Sequence, residues 1–435
     1  MSVRGGNDVS MPSEPFPHSL SLDEHGMRLL APGHAADIAS SFDLTRLPEG
    51  FHADPYPVYH ALRMHAPVHC AAGGCVLSRH ADLEAVYKDT AAFSSDKKLE
   101  FRPKYGDSPL YAHHTTSLVF NDPPLHTRVR RIMAGALTAR AIAGMERPVE
   151  DLVDRLLDDM EKRSEVDLID DFAAAIPVEV IGNLLAVPRD ERGPLRAWSL
   201  AILGALEPAP SPEQLQRGNR AVSEFLDYLG GLVAARRKMP GDPDEDVLTR
   251  LILGESDGQR LTEAELLQNC IFILNAGHET TTNLIGNGLF ALLEWPEERE
   301  RLSRDPALIK TAIEEFLRFE SSNQLGNRIT TRATEIGGVP LPPQTSITLC
   351  IGAANRDPER FPHPDRLDIG RQPNRHLAFA SGPHLCVGMN VARLEGRIAI
   401  GRFLARFPRY RANGRPTRGG RVRFRGFLSI PVVLH

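Results

Sequence analysis

One helix limits every fold that this chain can adopt. Residues 262–295 carry an uninterrupted helical pattern: Thr262 and Glu265 form a capping box at its start, and Trp295-Pro296 ends it. At 1.5 Å per residue such a helix is about 50 Å long, which is enough to cross a whole domain. The remaining elements must therefore pack around it.

Helical patterns fill most of the chain on both sides of this segment. Further helices are predicted over 125–136, 141–162, 172–186, 191–206, 213–238 and 307–320, with a short one over 54–65 and a last one over 387–406. Short strands are predicted over 67–78, over 330–348 and at the C-terminus. These patterns predict a mainly α fold with a small β region.

Two segments are expected to lack regular structure. Residues 94–120 are predicted to form a long loop, because Pro103, Gly106 and Pro109 interrupt any period. Residues 1–40 are expected to be a flexible tail, since they are rich in Pro, Ser and His. No linker divides the rest, so residues 41–435 are predicted to be a single domain.

Composition narrows the function classes. Hydrophobic residues make up 42% and charged residues 25% of the chain, which is typical of a folded globular protein. A net charge of −5 gives no basic surface for nucleic acid. The first 40 residues contain no apolar run, so we expect no signal peptide, no membrane segment and a cytoplasmic location. Five scattered cysteines argue against a disulfide framework, and Cys70 and Cys75 are interpreted as ordinary thiols.

A cysteine at the end of a glycine-containing loop is the strongest chemical signal. Cys386 immediately precedes the last predicted helix, where the helix dipole and backbone N–H groups stabilise a thiolate. Gly382 and Gly388 allow close approach of the backbone, and Phe379 can pack against a flat cofactor. Taken alone, the cysteine could equally be a buried structural thiol.

Three further patterns carry polar groups at helical spacing. In the middle of the long helix, the Thr280 hydroxyl of Ala276-Gly277-His278-Glu279-Thr280 can bond the carbonyl four residues back and locally open the helix. Glu315 and Arg318 are three residues apart, which favours an ion pair. His126 and Arg130 are four apart and share one side of a helix, whereas Arg128 and Arg131 fit a solvated face. Each pattern alone also fits an ordinary helix surface.

Together these four motifs resemble the cytochrome P450 family. Phe379, Gly382, Cys386 and Gly388 match the family's signature Phe-x-x-Gly-x-x-x-Cys-x-Gly, and Ala380 stands where many members have Gly, which should stiffen the loop. The resemblance covers residues 41–435. It implies the triangular, haem-sandwiching helical fold and a haem b cofactor (iron protoporphyrin IX) whose iron is held by Cys386.

The resemblance also implies roles for individual residues. Glu279 and Thr280 are the expected catalytic residues, which relay protons to bound oxygen. The expected cofactor-binding residues are His126, Arg130, Ala276, Gly277, Arg328, Phe379, His384, Cys386 and Gly388, of which His126, Arg130, Arg328 and His384 would face the haem propionates. The substrate pocket would be lined by Phe272, Asn275, Asn323, Gln324, Leu325 and Phe427. Glu315, Arg318 and Arg366 are assigned to the fold and to haem incorporation.

The implied activity is that of a haem-thiolate monooxygenase. Such an enzyme activates dioxygen and hydroxylates or otherwise oxidises a small to medium organic substrate. No segment resembles a flavin or iron–sulfur domain, so electrons should come from a ferredoxin or flavodoxin with its NAD(P)H reductase. An arginine cluster near the last helix could dock an acidic donor or could be a solvated face; it comprises Arg393, Arg397, Arg402, Arg406 and Arg409. A peroxide-driven peroxygenase and a non-catalytic haem sensor are the alternatives.

Overall fold

The computed structural model of the protein describes residues 21–24, 26–243, 246–256 and 258–435. Helices dominate it: α1 (Pro32–Ser41), α2 (Tyr56–His65), α3 (His80–Lys88), α4 (Lys98–Tyr105), α5 (Pro109–Thr116), α6 (Leu125–Ala136), α7 (Ala139–Glu161), α8 (Ala175–Leu184), α9 (Leu195–Gly204), α10 (Pro212–Lys238), α11 (Val247–Leu253), α12 (Glu263–Glu294), α13 (Pro296–Arg304), α14 (Ile309–Phe319), α15 (Ile351–Ala354) and α16 (Met389–Arg406). The predicted mainly α fold is confirmed.

The strands are short: β1 (Ser21–Leu22), β2 (Arg28–Leu29), β3 (Val68–Ala71), β4 (Gly74–Leu77), β5 (Phe93–Ser94), β6 (Glu165–Asp167), β7 (Glu255–Ser256), β8 (Gln259–Arg260), β9 (Leu325–Thr330), β10 (Thr334–Ile336), β11 (Val339–Leu341), β12 (Ser346–Cys350), β13 (Arg411–Ala412), β14 (Thr417–Arg418), β15 (Phe427–Ser429) and β16 (Pro431–Val433). The largest sheet has the order β3-β4-β12-β9-β5 and is antiparallel except for the β4–β12 pair. A second sheet, β13-β16-β6, joins the C-terminus to the middle of the chain.

The long helix α12 is the centre of the core. Its capping box forms as the sequence predicts, because the Glu265 amide donates to Thr262 Oγ1 at 3.2 Å and the Thr262 amide donates to Glu265 Oε2 at 2.8 Å. Helices α8, α9, α10 and α16 pack around it. Buried leucines, isoleucines and valines from these helices join into one continuous cluster, which accounts for the stability of the helical part.

Helix α16 runs beside α12 in the same direction. A Cβ atom at Gly396 of α16 would lie 3.1 Å from Leu284 of α12, and one at Gly288 of α12 would lie 2.8 Å from Ile400 of α16. The two glycines therefore allow the helices to approach closely at both contacts. Because α16 begins at Met389, the loop that precedes it lies near the turn of α12 that ends at Thr280. This geometry positions the functional site.

The β3–β4 hairpin contains a disulfide. The antiparallel pairing puts Cys70 directly opposite Cys75, with Cα atoms 4.0 Å apart, and the two sulfur atoms are bonded. The prediction that both residues are ordinary thiols is wrong. The register of the strands, which no cysteine count reveals, brings the two side chains to one face of the hairpin.

The segment predicted as a long loop contains two helices. Ser108 caps α5 by accepting from the Tyr111 amide, and Pro109 occupies its first position, where a missing N–H costs nothing. Pro103 lies inside α4, which is nevertheless held by its buried aromatic side chains Phe101 and Tyr105. Tertiary burial therefore outweighs the local interruptions from which the loop was predicted.

The N-terminal segment is also more ordered than expected. Leu30, Ala35, Ile38 and Ala39 are buried in a second core cluster with residues of α2, so the described part of the predicted tail is folded. Residues 1–20 lie outside the described residues. The assignment of residues 41–435 to one domain stays a prediction. Within the described ranges, no helix has both the length and the hydropathy needed to cross a membrane.

Candidate functional site

Cys386 lies in a tightly turned loop just before α16. Its amide donates to the Phe379 carbonyl at 2.9 Å, and its side chain is only half-buried. Burial raises the pKa of the Cys386 thiol, and the Gly388 amide and the guanidinium of Arg130 act in the opposite direction. The loop therefore presents a sulfur atom to an open side while backbone and cationic groups favour its thiolate form.

Backbone conformation explains the glycine pattern of this loop. Gly382 adopts φ +67°, and a Cβ there would overlap the Tyr87 carbonyl, so no other residue fits. Ala380 adopts φ 59°, also in the left-handed region. The predicted stiffening thus has a physical cost, since a non-glycine residue is strained there by about 1–2 kcal/mol.

Four basic side chains from three parts of the chain converge next to Cys386. The rings of His126 and His384 lie 3.9 Å apart, and Arg130 donates to the Leu385 carbonyl at 2.5 Å. Burial and then Arg328 lower the pKa of His384 to about 2. Burial and then Arg130 lower the pKa of His126 to about 4. The four groups are thus close enough to repel one another.

The unbonded nitrogens of this cluster are suited to bind an anion. His126 Nε2, His384 Nε2 and Arg328 Nε are all buried and lack a hydrogen-bond partner. Buried donors without acceptors are rare, because each costs about 1–3 kcal/mol. The carboxylates of a haem group would satisfy these donors beside the cysteine that would bind its iron, so the residues present fit the cofactor.

The acid–alcohol pair lies on α12. Thr280 Oγ1 donates to the Ala276 carbonyl at 2.6 Å, which is the bond expected from the sequence. Ala276 is exposed although it lies in the middle of the most buried helix, so this turn borders an internal space. Glu279 is buried, and burial raises its pKa to about 7.

Arg421 holds the carboxylate of Glu279. Its Nη1 donates to both carboxylate oxygens, at 2.5 and 2.6 Å. Arg421 comes from the segment between β14 and β15, 142 residues away in sequence. This contact was not predicted, because an arginine in an irregular C-terminal segment carries no periodic signal.

Gly277 lies where α12 packs closely against α8. A side chain there would lie 2.8 Å from Cδ1 of Ile181 on α8. The glycine is therefore required by the packing of α12 against α8.

Two of the expected structural contacts are corrected. Glu315 pairs with Arg318 at 2.7 Å as predicted, but its second arginine is Arg371, at 3.1 Å. The Arg366 carbonyl accepts from Arg318 and from Arg371, both at 3.3 Å, and its guanidinium forms no ion pair with Glu315. Arg128, expected on a solvated face, instead pairs with Glu265 at 2.5 Å and ties α6 to the first turn of α12.

The expected pocket residues are only partly brought together. Asn275 Nδ2 contacts His113 Nε2 at 3.3 Å, and its Oδ1 is buried without a partner. Phe272, four residues before Ala276, lies on the same face of α12 and is partly buried. Asn323 is half-buried, and its side chain accepts from the Leu325 amide. These three residues are compatible with a pocket.

The other three pocket residues point elsewhere. Gln324 donates to the Ser321 carbonyl and packs against Gly352, and Leu325 is buried in the second core cluster. Phe427 packs on Phe290, with ring centroids 4.5 Å apart, and Phe290 lies more than two helical turns beyond Thr280 on α12. The C-terminal segment reaches the site through Arg421 and its neighbours, and not through Phe427.

The arginine cluster on α16 is largely paired within the molecule. Its ion pairs are Arg393 with Glu314, Arg397 with Glu146, Arg402 with Glu150 and Asp154, and Arg406 with Asp158 and Glu161. All of these carboxylates except Glu314 lie on α7. We call this set the α16 arginine row, and it is not a row of free cations.

Comparisons with known proteins agree with this geometry. The family described as cytochrome P450 matches residues 205–409. The chain is 42% identical over 338 residues to cytochrome P450 107B1 of Saccharopolyspora erythraea, covering 77% of this chain and 80% of that protein. It is 34% identical over 375 residues to the 6-deoxyerythronolide B hydroxylase of the same organism, covering 83% and 90%.

A solved structure supports the same assignment. The structure of P450BioI in complex with hexadec-9Z-enoic acid ligated acyl carrier protein is similar to this chain, with a TM-score of 0.84 and 33% identity. The match covers 88% of this chain and all of that one. The cysteine loop, the cluster of basic residues and these relatives lead to one conclusion: the chain belongs to the cytochrome P450 family and is a haem-thiolate monooxygenase.

Proposed function

We propose that Cys386 binds the iron of haem b and that Glu279 and Thr280 deliver protons during oxidation of an organic substrate. The observation that carries this proposal is the group of unbonded nitrogens on His126, His384 and Arg328, which surround the space beside the cysteine. The bound haem would supply activation of dioxygen, with electron density donated by the thiolate.

The chain's own residues would divide the remaining work. His126, Arg130, Arg328 and His384 would anchor the propionates, since buried carboxylates need cationic partners. Phe379 would pack beside the thiolate; the Arg393 guanidinium already lies 4.9 Å from its ring centroid.

Proton delivery is supported by the chemistry of the acid–alcohol pair. A carboxyl with a pKa of about 7 is partly protonated at neutral pH, which is the condition for efficient proton transfer. The Thr280 hydroxyl, bonded to the Ala276 carbonyl, lies on the turn that borders the internal space. Glu279 would hold the proton and Thr280 would orient it.

The electron source is proposed to be a ferredoxin or a flavodoxin with its NAD(P)H reductase. The support for this is the membership of the chain in the cytochrome P450 family. For the substrate, the unpartnered Asn275 Oδ1 would accept a hydrogen bond from a hydroxyl or amino group.

The proposal is tested by the carbon monoxide spectrum of the reduced protein. Wild type should show the long-wavelength Soret band that marks thiolate ligation, and Cys386→Ser should lose it. Cys350→Ser, which changes a buried cysteine outside the loop, is the matched control and should keep it. Retention of the full band in Cys386→Ser would assign the iron to another ligand.

A second measurement tests the source of electrons. The purified protein should oxidise NAD(P)H only when a ferredoxin or flavodoxin and a reductase are added. Substrate oxidation supported by hydrogen peroxide alone, at the rate of the reconstituted system, would favour a peroxygenase.

A further inference from the structure

Two partly buried cations lie close enough to each other to interact, beside the segment that follows α9. Arg423 follows Arg421 by two residues, and Lys104 lies near the end of α4. Arg423 donates to three separate acceptors: Leu206 O at 3.2 Å, Leu325 O at 2.8 Å and Asn327 Oδ1 at 2.5 Å. Lys104 Nζ donates to the Glu207 carbonyl at 2.8 Å. All four acceptors are neutral.

Neither cation makes an ion pair with a carboxylate of the described chain. Lys97 pairs with Glu100 at 2.5 Å, so that carboxylate is already used. Glu207 directs one carboxylate oxygen at the amides of Val422 and Arg423, at 2.9 and 3.2 Å. Two carboxylates, Glu100 and Glu207, therefore face three cations, Lys97, Lys104 and Arg423, and this part of the molecule has a surplus positive charge.

A buried surplus charge is costly unless an anion joins it. Burial, and then Arg423, lowers the pKa of Lys104 to about 8, so the two cations destabilise each other. The structure uses three of the five N–H donors of Arg423 and one of the three of Lys104. N–H groups of both cations thus remain for one more acceptor. A negatively charged acceptor would also balance the surplus positive charge.

The pair lies near the acid–alcohol turn. The Glu207 carbonyl accepts from Lys104 and its carboxylate accepts from the Arg423 amide, and Glu207 is close enough to Glu279 to raise the pKa of that carboxyl. Arg421 reaches Glu279 next to Thr280, and two residues of backbone span at most about 7 Å. An anion held by Arg423 would therefore lie within one small molecule's length of Thr280.

The haem propionates would have their own partners. His126, Arg130, Arg328 and His384 converge beside Cys386, whereas Arg423 and Lys104 bond to the segment that follows α9. We therefore propose that Arg423 and Lys104 bind the carboxylate group of the substrate, so that the enzyme oxidises organic acids. This inference rests on the proposed function and names its substrate class.

The test compares acids with their neutral esters. Dodecanoate, 4-phenylbutanoate and adamantane-1-carboxylate, each beside its methyl ester, are titrated into the holoenzyme and followed by the Soret band and by calorimetry. At least one acid should bind about tenfold more tightly than its ester, as one charge-assisted hydrogen bond provides. A panel in which no acid binds more tightly than its ester overturns the proposal.

Variants locate the preference. Arg423→Gln and Lys104→Gln should each reduce the ratio of acid affinity to ester affinity from about ten to a value between about one and three. The loss of a single charged contact accounts for a decrease of this size. Arg423→Lys keeps the charge and should retain part of the preference. Arg220→Gln, on an exposed part of α10, is the control and should change nothing. An undiminished preference in both neutral variants overturns the assignment.

Haem content distinguishes a substrate-binding arginine from a propionate-binding one. If Arg423→Gln loses haem as Arg328→Ala does, Arg423 belongs to the propionate site and the inference fails. If Arg423→Gln does not fold, the acid preference of Lys104→Gln is the test. The carbon monoxide spectrum of wild type is measured first. A missing thiolate band would refute the proposed function, while calorimetry would still decide the preference for acids.

Discussion

Replacing Arg421 by Gln is expected to raise the pKa of Glu279 above neutral. Burial raises this pKa and the Arg421 guanidinium lowers it, and the balance is a value of about 7. Gln keeps a hydrogen-bond donor near the carboxylate but removes the charge. Without the cation, the charged form of the carboxylate is disfavoured further, so the carboxyl stays protonated to a higher pH.

The geometry gives the size of the effect. Charge centres about 4 Å apart attract by about 4 kcal/mol at an effective dielectric constant of about 20. The Arg421 side chain is 21% exposed and that of Glu279 is 9% exposed, so solvent screens part of this. We expect the pKa to rise by at least about one unit, which is about 1.4 kcal/mol. At pH 7 the protonated fraction would then rise from about one half to about nine tenths.

Infrared titration measures this pKa without a substrate. The band of the protonated carboxyl is assigned by its disappearance in Glu279→Gln, and its intensity is followed against pH in wild type and variants. Arg421→Lys should titrate close to wild type, and the exposed Arg220→Gln should match it. An unchanged or lowered titration midpoint in Arg421→Gln would show that the ion pair does not control Glu279.

Three further outcomes are expected. Thr280→Ala should keep haem and ligand binding but release peroxide, and the ratio of product to electrons consumed measures the loss; full coupling would remove Thr280 from proton delivery. Arg130→Ala and Arg328→Ala should lower the haem-to-protein absorbance ratio, because an unpaired buried carboxylate costs about 3–5 kcal/mol. The exposed Arg220→Ala is the control and should leave the ratio unchanged, and equal ratios in all three variants would contradict propionate anchoring. Ala380→Gly should stabilise the protein to denaturant by about 0.5–1 kcal/mol, because relief of left-handed strain exceeds the added chain entropy; a lower unfolding midpoint would refute this.

Local patterns predicted the parts of this fold that depend on local chemistry. The capping box of α12 involves residues three apart, and the predicted bond from Thr280 to Ala276 spans one helical turn. Spacing alone fixes such contacts. The four basic residues beside Cys386 were found by resemblance to a family, since nothing local links residue 126 to residue 384.

The contacts that sequence missed depend on tertiary structure. Arg421 is paired with Glu279 only because the segment between β14 and β15 packs against α12. Glu315 pairs with Arg371, whereas Arg366 had been grouped with it from the sequence. The spacing of these neighbouring arginines does not determine which of them reaches Glu315. Phe427 was expected in the pocket, but its ring packs on Phe290, which lies farther along α12 than Thr280.

The α16 arginine row has a consequence for electron transfer. An acidic carrier that binds this face must displace the carboxylates of α7, so docking exchanges existing ion pairs and adds few new ones. The arginines are four or five residues apart, about 6 to 7.5 Å along the helix. Only a carrier whose acidic groups repeat at that interval can replace the whole set, and its affinity should fall less steeply with salt than affinity for free cations. Helix α7 would therefore compete with any acidic partner for these arginines.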